Sequence, residues 1–136
     1  MSGPRGAVRD VVRGTVRGAA DERGSGTLLV VGLMAVVGVV AVVATVAAAY
    51  LVAGHQARGA ADLAALSGAA AFAEGRAPCP AATRLARANG ARVTSCDQVG
   101  DDVDYVVSVA VVVEVGVRVP GLPRTLPGRA HAGPVR

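Results

Sequence analysis

The run from Thr27 to Ala53 contains no charged side chain and is built largely from Val, Ala and Leu. As an α-helix it measures roughly 40 Å. That exceeds the ~30 Å hydrocarbon core of a bilayer, so the run is predicted to cross a membrane with some tilt. Covering such a helix on all sides would take a larger soluble domain than the rest of a 136-residue chain can build. Ala47-Ala48-Ala49 offers a small-residue cleavage site before Tyr50. A secretory apolar core, however, is only about 7–15 residues long, so the run reads as a retained anchor.

Charge placement sets the expected orientation. Arg5, Arg9, Arg13, Arg17 and Arg23 precede the run, whereas Arg58, offset by Asp62, is the one Arg soon after it. Basic flanks stay in the cytoplasm, so the N-terminus is expected inside and the C-terminal part outside the cytoplasmic membrane. The first four Arg recur every four residues. On a helix they form a stripe suited to anionic headgroups; with Gly6, Gly14 and Gly18 among them, a disordered basic tail is the other reading. All 14 basic residues are Arg, and no basic cluster is interleaved with aromatics, so no nucleic-acid partner is expected.

Helical patterning continues past Ala53. Leu63, Leu66 and Ala70 share a face, and the first firm stops are Gly75 and Pro78. One helix from Thr27 to Ala73 is predicted, part in the membrane and part outside. Small residues recur every four positions from Ala41 to Ala73. Such rows let helices approach closely, so Ala53, Ala57 and Ala61 are expected to pack against a partner helix where the long helix leaves the membrane.

Beyond the stop, Ala81–Ala88 reads as a short helix ended by Asn89-Gly90. Arg92–Cys96 is a strand candidate, and Asp97–Asp102 has turn chemistry. From Tyr105 to Val119 every second residue is Tyr or Val, against a mixed row holding Ser108, Glu114, Gly116 and Arg118. That period of two predicts a strand with one buried face. Pro120, Pro123 and Pro127 open a tail expected to be mobile. The expected organisation is a basic head over 1–26, a membrane helix over 27–53, an external helix with a small β element over 54–119, and a flexible tail over 120–136. The fold class is α+β.

Cys79 and Cys96 both lie beyond the apolar run. An even count on the oxidising side of a membrane predicts a disulfide, with two unrelated buried thiols as the alternative. The loop it would close, roughly 18 residues, is worth about 3 kcal/mol in the chain-entropy model.

No nucleophile–base–acid set stands out, so no catalytic, cofactor-binding or metal residues are assigned and an enzyme is not expected. His55 and His131 lack neighbouring ligand candidates in sequence and read as solvated or interfacial. Asp101, Asp102 and Asp104 lack the Gly and distal Glu of a calcium loop and read as an acidic turn. Aromatics are limited to Tyr50, Phe72 and Tyr105, which argues against a large ligand pocket and a small-molecule substrate.

The basic head, the Asp21–Gly26 junction, and the apolar helix continuing through His55-Gln56-Ala57-Arg58-Gly59-Ala60-Ala61-Asp62-Leu63-Ala64-Ala65-Leu66 together resemble TadE/TadG-like pseudopilins of tight-adherence (Flp) pilus and secretion systems. The likeness is nearest to a small actinobacterial TadE-like group found beside secretion ATPase and helicase genes, and Cys79, Asn89-Gly90 and Cys96 fit that group. It implies a pilin-like fold and a minor structural or assembly role. It further implies other pseudopilins, secretion-platform membrane proteins and lipid as partners, and processing after Gly24 or Gly26. Pilin substrates carry Glu five residues after the cleaved Gly; Leu29 and Val31 stand there instead, so cutting and no cutting both remain open. The reading from another class is a solitary membrane-tethered binding or sensor module using the β element.

Overall fold

A computed structural model describes residues 7–134, with side chains from residue 26 onward. The side chains of the basic stripe and Arg23 lie outside the described residues. The order of elements is α1 (Ala7–Ala73), α2 (Pro78–Ala88), β1 (Arg92–Gly100), β2 (Tyr105–Glu114) and β3 (Thr125–Ala132). The class is α+β. The chain divides into two compact units, Met1–Ala44 and Thr45–Arg136.

In the first unit the described side chains are uncovered: Leu28 and Met34 are 74% and 69% exposed, and Val40 is 61% exposed. From Gly26 onward α1 is long and apolar enough to cross a membrane. Helix begins at Ala7 rather than at Thr27, so Gly24 and Gly26 both sit inside continuous helix rather than at a hinge.

The second unit is a helix–sheet sandwich. The strands form an antiparallel sheet in the order β1-β2-β3. Because β2 is central, its inner row has neighbours on both sides, and Val107, Val109 and Val111 are the largest fully buried side chains. Burying each Val stabilises by about 1.5–3 kcal/mol. The opposing layer is the Ala face of α1, with Ala57, Ala61 and Ala64 all at 0% exposure. An Ala-surfaced helix can approach a sheet closely, and the Val row then supplies the volume that fills the core.

Three expectations about the β element are corrected. The strand predicted to reach Val119 ends at Glu114, after which Val115 is still buried but Gly116 begins a loop. The tail predicted to be mobile contains β3. There Gly128, Ala130 and Ala132 point inward while Arg129 and His131 point out. Pro127 fits because β3 is an edge strand, where a missing N–H is tolerated. β1 also runs further than expected, to Gly100, with a register shift between Val93 and Ser95. Residues 97–100 therefore pair instead of turning, and the turn is confined to 101–104.

α2 is placed by close approach. A methyl group on Gly68 would lie 3.0 Å from Val107 Cγ1 and 3.3 Å from the Pro78 carbonyl oxygen. α2 ends at Ala88 and is capped by Asn89, with Gly90 at φ 71° completing the stop, as its sequence predicts.

Candidate functional site

The described residues of the second unit present four surfaces: the Ala face of α1, the outer face of the sheet, and the two ends of the sandwich. Local sequence sets each.

Ala53, Ala57 and Ala61 are 4%, 0% and 0% exposed, and all three are taken up by the chain's own core. The expectation that they meet a partner helix is corrected: the sheet occupies that seam. Gly128 marks how close the contact is, because a Cβ there would overlap the Ala57 carbonyl oxygen and lie 3.1 Å from Arg58 N. Among the large apolar residues of α1 after Ala53, Leu63 and Leu66 are left outward, 45% and 60% exposed.

Cys79 and Cys96 are bonded, with Cα atoms 5.8 Å apart. The bridge ties the first turn of α2 to edge strand β1. Hydrogen bonds hold the other end of α2: Gln56 Nε2 donates to the Asn89 carbonyl at 3.0 Å, and Asn89 Nδ2 to that of Leu85 at 2.9 Å.

On the outer face, register places Asp97, Ser108 and His131 in one row across the three strands. Ser108 Oγ and His131 Nδ1 are 2.7 Å apart. A shallow depression of about 240 Å³ surrounds them, lined also by Ser95, Ala110 and Arg129. Sequence reasoning missed this pairing because His131 falls in the stretch read as a tail; the alternation Arg129–His131 against small residues was the available signal. His55 is exposed and lines a separate recess with Tyr50, Arg58 and Leu126.

The two ends of the sandwich differ chemically. At the β1–β2 turn, Asp101 Oδ1 accepts the backbone N–H groups of Asp104 and Val103 at 2.8 and 3.0 Å. These amides, Asp104's first, hold the carboxyl below its ordinary 3.8. Beside this turn Tyr105 packs on Phe72, ring centroids 4.6 Å apart, and donates its hydroxyl to the Ala69 carbonyl at 3.1 Å. At the opposite end Tyr50 OH donates to the Pro123 carbonyl at 3.0 Å. The loop there is pinned by Val115 N–H to Arg124 O at 2.8 Å and by Leu122 N–H to Val119 O at 3.2 Å.

No protein-family model, curated protein or solved structure matches the chain. Its function is therefore argued from these surfaces.

Proposed function

We propose that this chain is a membrane-anchored structural component of a pilus or protein-secretion apparatus, of the TadE/TadG-like pseudopilin kind. The observation that carries the reading is one continuous helix used in two ways. Its apolar part from Gly26 to Val43 is uncovered by the chain, and its later part is the spine of a small sheet domain. Uncovered Leu and Val at this density have a large free-energy incentive to leave water, about 25 cal/mol per Å², which a bilayer and neighbouring membrane helices supply. The five Arg before Thr27 favour an N-terminus in the cytoplasm and the sheet domain outside. The role is structural rather than catalytic. Its partners are other pseudopilins or platform membrane proteins, met through residues of α1 that the sheet leaves free.

The test is site-specific photo-crosslinking in cells from Val40 and from Leu66. Adducts to platform or pseudopilin membrane proteins support the reading, and platform-free adducts from both positions overturn it. An alkaline phosphatase fused after Arg136 tests orientation and should be active. The tethered-binder reading draws on the Ser108–His131 pair beside Arg129. It predicts that Arg129→Ala, rather than Leu66→Glu, abolishes function.

A further inference from the structure

We infer that the loop joining β2 to β3 is a second membrane contact, binding the headgroups of anionic phospholipids at the surface where α1 emerges. The inference rests on the reading that Thr27–Ala53 crosses the bilayer, and on nothing about pilus assembly.

Depth comes from the tyrosine. Tyr50 lies in the last turns of the uncharged run, where an amphipathic ring settles at the membrane–water interface. Its hydroxyl is held by Pro123, so the loop lies at the depth of Tyr50. The acidic turn is at the other end, anchored through Tyr105 to Ala69. From Tyr50 to Ala69 the helix rises about 28 Å. The β2–β3 loop is therefore the membrane-proximal end of the sandwich and the β1–β2 turn its distal end.

Apart from Glu114, exposed at the proximal end of β2, charge follows the same axis. Asp97, Asp101, Asp102 and Asp104 sit in β1 and the distal turn. After Glu114 the chain has Arg118, Arg124, Arg129 and Arg136 and no acidic residue. Arg118 and Arg124 are exposed in the proximal loop, and Arg58 lines the adjoining recess beside Tyr50. Arg presents a planar fork of donors suited to phosphate oxygens. Between the two loop Arg come Val119, Pro120, Leu122 and Pro123, with Leu122 46% exposed. The two backbone bonds and Gly121 at φ 84° hold this turn formed, so docking orders little new chain. An apolar tip between guanidinium groups matches an interface of acyl boundary and phosphate.

The chain has no Trp, so single introduced Trp residues report position without background. In nanodiscs of phosphatidylcholine with brominated phosphatidylglycerol, emission from Leu122→Trp should be blue-shifted and quenched. Emission from Val103→Trp, at the distal turn, should be neither. Adding Arg118→Gln or Arg124→Gln should lower the ratio of docked to undocked loop about fivefold each. Hydrogen exchange of the unsubstituted chain should show residues 116–124 more protected in anionic than in zwitterionic discs. If Leu122→Trp is as unquenched as Val103→Trp while Val40→Trp is quenched, the anchor stands and the loop contact is overturned. Equal docking in zwitterionic discs overturns the headgroup assignment. An unquenched Val40→Trp removes the anchor and the inference with it.

Discussion

Replacing Gly128 with Ala separates two opposed effects. In a strand that merely lies on the surface, Gly→Ala restricts the unfolded chain and stabilises by about 0.4–1 kcal/mol. Here φ is not the obstacle, since Gly128 is absent from the positive-φ glycines. The obstacle is space: the new methyl would overlap the Ala57 carbonyl oxygen and crowd Arg58 N. Both are backbone atoms of α1, so no side-chain rotation relieves the contact, and β3 must lift from the helix. Overpacking a core costs about 1–3 kcal/mol, and a clash between two backbones belongs at the upper end. Subtracting the entropic gain leaves a net loss of about 2 kcal/mol. Denaturant titration of the full chain in detergent micelles reads the sign, and hydrogen exchange should place the loosening at 125–132. Unchanged or increased stability in Gly128→Ala would falsify the close seating of β3 on α1.

Other outcomes follow from the same contacts. Ala57→Leu should destabilise the sheet domain itself by about 1–3 kcal/mol, measured by the same titration; loss of partner binding with undiminished stability would return that seam to an external helix. Cys96→Ser should lower stability by about 3 kcal/mol, the chain-entropy value for such a loop, while leaving membrane insertion intact by carbonate extraction; an unchanged denaturation midpoint would count against it. Asp101 should titrate below 3.8 by carbon NMR. The native state favours its carboxylate, so the stabilising contribution is present above the ordinary value and is lost as pH falls through the lowered one. A midpoint at or above 3.8 refutes the amide-held turn.

The membrane-length run, the α2 stop and the inner row of β2 were legible because each is a local pattern with one dominant cause. Charge absence marked the run, Asn89-Gly90 the stop, and alternating Val the buried row. The disulfide was legible from placement, since both Cys lie on one side of the run. β3 was not, because its inward residues are Gly128, Ala130 and Ala132. Small side chains carry little strand propensity, and Pro127 reads as a breaker. At Gly128 that smallness is dictated by the backbone of α1 across the interface, a constraint with no local trace. The Ala row on α1 shows the converse failure. Its spacing reads as helix–helix packing, yet small residues serve a helix and a sheet alike, so the occupant could not be read from one side. Ser108 and His131 became neighbours only once β3 had a register.

The element that seats on Ala57 follows the other two described strands in the chain. Before Ala132 has been delivered, β2 has an open edge and part of the α1 face under β3 stays bare. An unpaired edge beside bare apolar surface is a template for another chain. Nascent or clipped molecules ending before β3 would therefore be the adhesive ones, although they retain the apolar run, both Cys and the whole Val row. Quality control acting on this chain would have to read β3, the stretch that Pro and Gly make look dispensable.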